Sequence, residues 1–393
     1  MAGPLKNLKV LDFTTLLPGP YATMLLADMG ADVLRVVSGS RPDLAAFIPP
    51  FLPKTKIAAI SAFLGRNKRC MALNLKDPRG IRIVHQLMAD YDIVIEQFRP
   101  GVMAKLGLDY ESLKKVKPSL IYCSISGYGQ TGPFRDRAGH DINYLARSGM
   151  IAYSGTKESG PMLMGMQIAD VASGSNHAVI GILAAVNHRA DTGEGQNIDI
   201  SMTDGAIAFN AMVGASFLVG GRDPGQCEWL LNGGSFYDYY ETKDGKYMSV
   251  GSLEPHFFKA FCESIGRPDL IAGTVSPPHI DKVKAEVRQI MKTKTRDEWT
   301  AIFEKVDACV EPVLTLAEAL ADPLVAGRQM VVELDVPGGG TVRQIASPIK
   351  FSATDMEYRS IGAPPGAHTR EVLRHLGYPD ADIDNFEKTG LFS

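Results

Sequence analysis

The fold is decided by the stretch Leu8-Lys9-Val10-Leu11-Asp12-Phe13, followed by Thr15-Leu16-Leu17-Pro18-Gly19-Pro20, a helix-compatible run over 21–30, and Ala31-Asp32-Val33-Leu34-Arg35-Val36-Val37. A strand, a glycine turn, a helix and a second strand in quick succession are typical of a βαβ unit and therefore of a parallel sheet. The turn lacks the GxGxxG pattern of a dinucleotide-binding fold, and its prolines have no amide donors for a pyrophosphate. The sequence therefore predicts an α/β fold without that fingerprint.

Further strand and helix patterns continue this alternation after a proline-rich excursion over 39–64. Strands are predicted at Cys70–Leu75, Ile93–Glu96, Leu120–Ile125 and Asn197–Ser201, and helices over 80–90, 102–106 and 174–188. In the last helix we expect Ile180, Leu183, Ala184 and Val186 to supply the apolar surface. Several units end in glycine-containing loops, which is where ligands bind in open α/β sheets.

The pattern of strand and helix signals in the sequence changes from about Gly221. Residues 236–250 predict a hairpin, because Asp244-Gly245 separates two aromatic-rich arms. Helices are predicted over 256–265, 281–293, 296–305 and, in the tail, 369–376. We therefore predict a large domain over 1–220 and 330–393 and a smaller α+β domain over 225–325.

Composition excludes several classes of protein. The 393 residues carry a formal net charge of −3, which gives no electrostatic reason to expect nucleic acid. The five cysteines are odd in number and far apart, and the histidines show no paired ligand spacing, so neither a disulfide framework nor a metal site is indicated. No signal pattern or long apolar run is evident. We expect a soluble cytoplasmic protein that binds neither membrane nor nucleic acid.

One histidine and one aspartate stand out as candidate catalysts. His140, in Gly139-His140-Asp141-Ile142-Asn143-Tyr144, precedes Asp170 by 30 residues, and each lies beside a small residue. Their ordinary pKa values bracket the range of acid–base catalysis, so a pair facing one carbon could remove and return a proton. In a chain with eight histidines, a packed or surface role for His140 is the alternative.

A basic cluster precedes the third predicted strand. Arg66, Lys68 and Arg69 place three cations within Gly65-Arg66-Asn67-Lys68-Arg69. Such a cluster is typical either of a solvated loop or of the mouth of a site for phosphate-bearing ligands, and the sequence leaves both open.

Eight motifs together resemble the family III CoA-transferase and α-methylacyl-CoA racemase superfamily over about residues 5–380. They are Leu-Pro-Gly-Pro at 17–20, Ala-Asp-Val at 31–33, Arg-Asn-Lys-Arg at 66–69, Leu-Asn-Leu-Lys at 73–76, Phe-Arg-Pro-Gly-Val at 98–102, Ser-Gly-Tyr-Gly-Gln-Thr-Gly-Pro at 126–133, Thr-Gly-Glu-Gly-Gln at 192–196 and Ala-Pro-Pro-Gly-Ala-His-Thr at 363–369. Three further segments, at 139–144, 244–255 and 307–314, resemble the racemase branch.

The resemblance implies a Rossmann-like large domain with a parallel sheet, a smaller α+β domain, and two subunits interlocked as rings. The partner subunit is a second copy or a similar chain. The implied substrate is an acyl-CoA thioester, with no cofactor beyond its coenzyme A and no metal. The implied CoA contacts are Arg66, Lys68, Leu73, Asn74, Leu75, Lys76, Phe98, Arg99, Gly139, Asp141 and Tyr144. Local chemistry gives Asp141 an equally good role as a cap of the following turn.

For the racemase branch, the resemblance implies a 1,1-proton transfer at the carbon α to the thioester carbonyl. His140 then acts as the base for one enantiomer and Asp170 for the other. The resemblance implies that Glu254 corresponds to a glutamate near the histidine that would orient it, and a carboxylate at the start of a helix is the alternative interpretation.

The transferase branch is the alternative, in which Asp170 attacks a donor acyl-CoA as a nucleophile and forms a mixed anhydride. Two departures from the racemase pattern keep this alternative open. Met166 stands where racemases have an asparagine, and Ser38 stands where an arginine that contacts a CoA phosphate is usual. Arg35 or Arg41 would then have to supply that phosphate contact. A CoA-binding subunit without catalysis is a third interpretation, and the presence of both His140 and Asp170 speaks against it.

Overall fold

Six parallel strands form the central sheet of the computed structural model, which describes residues 3–39 and 42–392. The strands are β1 (Lys9–Asp12), β2 (Asp32–Val37), β3 (Arg69–Ala72), β4 (Ile93–Glu96), β5 (Ile121–Ser126) and β6 (Asn197–Ser201). Their order across the sheet is β3-β2-β1-β4-β5-β6, which is the doubly wound order of Rossmann-type folds. The prediction of an α/β fold with a parallel sheet is confirmed. Arg41 lies outside the described residues.

Helices alternate with these strands and continue beyond them. They are α1 (Pro18–Asp28), α2 (Ala59–Leu64), α3 (Pro78–Leu87), α4 (Val102–Lys105), α5 (Tyr110–Leu113), α6 (Asp141–Arg147), α7 (His177–Thr192), α8 (Met202–Ala208), α9 (Ala211–Gly220), α10 (Pro255–Ser264), α11 (Ile280–Met291), α12 (Arg296–Phe303), α13 (Leu316–Ala321), α14 (Pro323–Gly327), α15 (Thr369–His375) and α16 (Asp380–Lys388). Every residue of β4 and β5 is buried, as expected for parallel strands covered on both faces.

The strand order reverses between β1 and β4. Strands β2 and β3 follow β1 in one direction, whereas β4, β5 and β6 extend in the other. The chain therefore leaves the carboxyl ends of β1 and β4 in opposite directions and opens a crevice between the two loops. The loop after β1, taken here to include the first turn of α1, contains Leu17-Pro18-Gly19-Pro20, and the loop after β4 contains Gln97-Phe98-Arg99. The topology therefore brings two of the family motifs to one edge of the sheet.

The helix predicted over 174–188 has a different start and a different buried face. A π-helix, Ala169–Asn176, leads directly into α7, and Gly193, which follows α7, adopts the left-handed conformation. Ile180 is 61% exposed, whereas the inward residues are Ala178, Val179, Ile182 and Ala185. The prediction that Ile180 and Ala184 supply the packing surface was wrong. Apolar residues occur around much of this helix, so periodicity could not decide which side faces the protein.

The chain divides into two compact units. The first comprises residues 1–148, 164–209 and 326–393, and includes the antiparallel pair β10 (Val331–Asp335) and β11 (Thr341–Ile345). The second comprises 149–163 and 210–325. The sequence placed 149–163 and 210–220 with the large domain, whereas the contacts place them in the second unit.

The second unit is built around an antiparallel sheet of β7 (Asp238–Glu241), β8 (Tyr247–Val250) and β9 (Val310–Pro312). The predicted hairpin turn lies between β7 and β8, with Gly245 at a φ of 71°. Trp299 is buried on α12 and donates its indole N–H to the carbonyl of Met291 at 2.7 Å. This contact ties α12 to α11 within an aromatic core.

The continuous helical stretch Ala169–Thr192 is, within the described residues, long and apolar enough to cross a membrane by length and composition. In its most apolar window, 44% of the residues are buried inside the protein. A core helix of a soluble protein meets the same criteria, so this stretch is weak evidence for a membrane span.

We predict that Gly195→Ala destabilises the protein by about 1–3 kcal/mol. A Cβ at this position would lie 1.9 Å from the carbonyl oxygen of Leu120, which is backbone at the start of β5 and cannot move alone. Urea unfolding measures the effect. Gly327→Ala is the matched control, because a Cβ there meets open space; an equal loss in both variants would refute this assignment.

Candidate functional site

The two loops at the crevice are hydrogen-bonded to each other and to the sheet. The amide of Gly19 donates to Gln97 Oε1 at 2.9 Å, which joins the loop after β1 to the loop after β4. The carboxylate of Glu96, the last residue of β4, accepts the amide of Phe98 at 2.7 Å. The main chain of both loops is therefore fixed before any ligand binds.

His140, Asp141 and Asp170 lie together in the first unit. His140 immediately precedes α6, and its amide donates to Asn143 Oδ1 at 3.0 Å. Asp141 begins α6 and accepts the amide of Asp170 on Oδ1 at 3.0 Å. The sequence placed His140 and Asp170 as partners, but it did not foresee that Asp141 would hold the main chain of Asp170.

Asp170 titrates close to neutrality because of its surroundings. Burial is the main effect that raises the pKa of Asp170, and the nearby charge of Asp141 raises it further. His140 lowers this pKa, and the combined result is a pKa of about 6. A carboxyl group with this pKa can both take up and release a proton near neutral pH. The half-buried carboxyl beside an exposed histidine suits acid–base chemistry, and its ionised form can also serve as a nucleophile.

Ser175 connects Asp170 to the loop after β1. Its hydroxyl lies 2.6 Å from the carbonyl oxygen of Pro18 and 3.1 Å from that of Asp170. A Cβ on Gly174 would approach Met202 and Pro18 at 3.0 and 3.2 Å, so the π-helix packs closely against this loop. Asp170 is thereby held from two sides, by Asp141 and by Ser175.

Tyr144 closes the turn that precedes His140. Its hydroxyl donates to the carbonyl of Gly139 at 2.5 Å, and its ring packs edge-on against Tyr128 with centroids 5.3 Å apart. A Cβ at Gly127 or Gly139 would lie 2.4 or 2.6 Å from the Tyr144 ring. Both positions therefore require glycine, and burial together with the charge of Asp170 raises the pKa of Tyr144.

Arg66 and Lys68 are both buried, so the interpretation of this basic cluster as a solvated loop was wrong, whereas Asn67, Lys68 and Arg69 do line a cavity. Arg66 is fully buried and pairs with Asp28 at 2.5 Å, and a second guanidinium nitrogen donates to Gln344 Oε1 and the carbonyl of Ile345, each at 3.0 Å. An incoming phosphate could reach this guanidinium only by opening the core. The implied contact of Arg66 with CoA is therefore not supported by its side chain.

Lys68 is similarly enclosed. Its ammonium donates to the carbonyl of Pro20 at 2.8 Å and to Thr23 Oγ1 at 2.6 Å, and it lies 3.5 Å from Asp12 Oδ2. Burial lowers the pKa of Lys68 to about 8, although the adjacent Asp12 favours its charged form. Its observed function is to hold the start of α1, so a phosphate contact is not supported for this residue either.

The remaining implied CoA contacts lie at or near the carboxyl edge of the sheet. Leu73 is buried directly after β3, Asn74 and Leu75 are half-buried, and Lys76 is exposed. Phe98 and Arg99 follow β4, with Arg99 exposed. Contact between any of these residues and CoA stays a prediction.

The departures from the racemase pattern have distinct environments. Arg35 forms an ion pair with Asp43, so it is not a free substitute for the arginine replaced by Ser38. Met166 is 52% exposed.

Glu254 lies in the second unit as the exposed residue before α10, and its side chain makes no capping hydrogen bond within the described chain. Its role toward His140 stays a prediction.

Glu96 is a residue that the sequence analysis missed. It is 4% exposed, and burial raises its pKa to about 7 while a hydrogen bond from Ser124 opposes the shift. A lone acidic residue at the end of the apolar strand Ile93-Val94-Ile95-Glu96 was the available signal. Its location identifies it as the support of the loop that contains Phe98 and Arg99.

A large cavity lies at the other edge of the sheet. It has a volume of about 870 Å³ and is lined by residues at the amino ends of β2 and β3, among them Asp32, Lys68 and Arg69, and by residues of the tail such as Glu357 and His368. Because parallel strands present their amino ends together, this cavity is remote from the loops after β1 and β4. Its size therefore does not make it the site of the His140 and Asp170 chemistry.

Comparison with known proteins agrees with the observed fold. The sequence model of CoA-transferase family III matches residues 5–369. The human alpha-methylacyl-CoA racemase is 36% identical over 382 residues, covering 96% of this chain and 95% of that protein. The mouse succinyl-CoA:glutarate CoA-transferase is 32% identical over 401 residues, covering 99% and 90%. The crystal structure of a CAIB/BAIF family protein from Brucella suis has a TM-score of 0.84 at 30% identity, covering 96% and 100%.

We predict that Arg66→Ala lowers the free energy of unfolding by about 3–5 kcal/mol, because it leaves Asp28 as an unpaired buried charge. Urea denaturation is the measurement. The matched control is Arg69→Gln, whose pair with Asp32 is about one-third exposed on each side and should contribute less than about 1 kcal/mol. Equal effects of the two substitutions would contradict the buried role of Arg66.

We also predict that Asp141→Asn lowers the pKa of Asp170 below about 6, because the substitution removes a neighbouring negative charge while retaining an oxygen acceptor. Titration of carboxyl ¹³C signals by NMR measures it. His140→Gln should shift the same pKa upward, since the histidine favours the ionised carboxylate. Shifts of the same sign in both variants would refute this electrostatic account.

Proposed function

The chain belongs to CoA-transferase family III, and from that membership we propose that it epimerises acyl-CoA thioesters at the carbon α to the carbonyl, as an α-methylacyl-CoA racemase. The observation that supports this activity is the grouping of His140, Asp141 and Asp170, with the pKa of Asp170 raised to about 6. A racemase requires two acid–base groups of comparable strength, and a carboxyl with that pKa approaches the ordinary pKa of histidine.

The proposed reaction is a proton transfer through an enolate. The thioester makes the α-proton acidic enough to remove when the enolate oxygen receives preorganised hydrogen bonds. His140 takes the proton from one enantiomer and Asp170 returns a proton on the opposite face, and the roles exchange for the other enantiomer. The loops after β1 and β4, already joined through Gly19 and Gln97, would hold the CoA part of the substrate.

A second candidate is CoA transfer between carboxylic acids. In that reaction the Asp170 carboxylate attacks the donor thioester, and CoA leaves as the thiolate while a mixed anhydride forms. The acceptor carboxylate attacks the aspartyl carbonyl of this anhydride and displaces the donor acid. The thiolate then attacks the acceptor acyl carbonyl, which forms the new acyl-CoA and releases the Asp170 carboxylate. Two observations favour it: relatives named succinyl-CoA:glutarate CoA-transferase are similar over 99% of this chain, and Met166 departs from the racemase pattern. Both activities use the same aspartate.

We propose further that a second copy or a similar chain completes the protein as an interlocked dimer. Helix α9, all of which the structure describes, contains no buried residue, and its Leu218 and Val219 are 83% and 92% exposed. An apolar helix left in water is unfavourable, so burial against another chain supports the dimer.

The proposed function is tested by incubating the protein with a (2R)-2-methylacyl-CoA in deuterated buffer, with and without free succinate, and following products by mass spectrometry. We expect deuterium at the α-carbon without any need for succinate. Acceptor-dependent formation of a new CoA thioester, without α-exchange, would instead make Asp170 a nucleophile and the protein a transferase.

His140→Ala should abolish exchange from one enantiomer while CoA still binds. His188→Ala is the control, because His188 is exposed on α7 outside the grouping. Equal retention of exchange from both enantiomers in His140→Ala would remove His140 from the mechanism.

A further inference from the structure

We infer that Phe134, Arg137 and Arg147 form a subsite for an oxyanion of the substrate, either a carboxylate on the acyl group or a phosphate of CoA. We call these three residues the arginine pair and its ring. The inference rests on the proposed function, because it concerns the substrate of the same site. It adds an anion-binding element that neither the sequence motifs nor the family match assigns to these residues.

Both guanidinium groups lie against the same aromatic ring. The guanidinium carbon of Arg137 is 4.3 Å from the centroid of Phe134, and that of Arg147 is 4.1 Å from it. Arg137 comes from the loop before His140, whereas Arg147 is the last residue of α6. Stacking on one ring restricts two otherwise flexible side chains, so less entropy is lost when they bind an anion.

The two charges lack a carboxylate partner within residues 3–39 and 42–392, where the hydrogen bonds and ion pairs are described. The neighbouring Arg135 differs, because it lies 3.6 Å from Asp136. A bound oxyanion would supply the opposite charge that the described residues do not place beside either guanidinium group. Guanidinium groups bind carboxylates and phosphates through two parallel hydrogen bonds, which makes an oxyanion the fitting ligand.

The arginine pair and its ring connect to the candidate catalytic groups through packed aromatic side chains. Phe134 lies 6.1 Å from Tyr128 between centroids, and Tyr128 lies 5.3 Å from Tyr144. Tyr144 is close enough to Asp170 for that carboxylate to raise its pKa. An extended acyl-CoA bound beside Asp170 therefore has the length to bring one of its anionic groups to the arginines.

The experiment compares Arg137→Gln, Arg147→Gln and the double variant with Arg135→Gln, the matched control on the same loop. Four substrates are used: a (2R)-2-methylacyl thioester with a terminal carboxylate and one with a terminal methyl group, each on CoA and on 3′-dephospho-CoA. The readouts are KM and kcat for α-deuterium exchange or transfer, together with calorimetric affinity for free CoA and dephospho-CoA.

We expect the double variant to raise KM roughly 10- to 100-fold for substrates that carry the recognised anion, with little change in kcat, because charge-assisted hydrogen bonds are lost in ground and transition states alike. An increase in KM confined to the thioesters with a terminal carboxylate identifies the acyl group as the source of the anion. An increase confined to the CoA thioesters, and absent from the dephospho-CoA thioesters, identifies the 3′-phosphate. An increase with all four substrates identifies the pyrophosphate that they share. Arg135→Gln should leave all values unchanged.

The inference would be overturned if the double variant showed unchanged KM and unchanged affinity with all ligands. It would also be overturned if Arg135→Gln raised KM and weakened affinity as much as the double variant does. Failure of the proposed function looks different: the wild-type protein would show neither exchange nor transfer with any substrate. Even then, calorimetric titration of CoA, dephospho-CoA and glutarate into the wild-type and double-variant proteins still reports whether the arginines bind an oxyanion. Equal affinities in these two proteins would overturn the inference independently of activity.

Discussion

The buried carboxylate of Asp12 is the interaction on which the site depends. It sits at the carboxyl end of β1 and accepts hydrogen bonds from the amide and hydroxyl of Thr14 at 2.8 and 2.6 Å and from the Thr23 hydroxyl at 2.6 Å, with the Lys68 ammonium 3.5 Å away. A charge removed from water is tolerated only when its partners are nearly complete, as they are here. This requirement fixes how the chain leaves β1 and enters α1.

That constraint extends to the candidate catalytic aspartate. Lys68 also binds the carbonyl of Pro20, Gln97 binds the amide of Gly19, and Ser175 binds the carbonyl of Pro18 while contacting that of Asp170. The loop after β1 is therefore a rigid connector between the sheet and the π-helix. The side chains of Arg66 and Lys68 are buried structural supports, whereas Arg137 and Arg147 of the first unit are exposed and can reach an anion.

The pairing of Asp141 with Asp170 explains how one scaffold can serve two chemistries. Burial and a like charge bring the pKa of Asp170 to about 6, so its protonated and ionised forms are both accessible near neutrality. Proton transfer uses both forms, whereas attack on a thioester uses only the ionised form. Relatives of this chain are named both as racemases and as CoA-transferases, and a carboxyl group with this pKa is compatible with the proposed role of Asp170 in either reaction.

Local elements could be predicted from the sequence, because strand and helix patterns and turn glycines act over few residues. β4 and β6 have the bounds predicted for them, and the hairpin of β7 and β8 lies where Asp244-Gly245 placed it. The sequence also predicted His140 and Asp170 as a pair, and both lie in the first unit, where His140 influences the pKa of Asp170. Tertiary structure alone decided what depends on distant contacts. Arg66 is buried because Gln344 and Ile345 meet it from nearly 280 positions along the chain. Likewise, the face of α7 and the contact of Asp141 with Asp170 follow from packing, which no local pattern encodes.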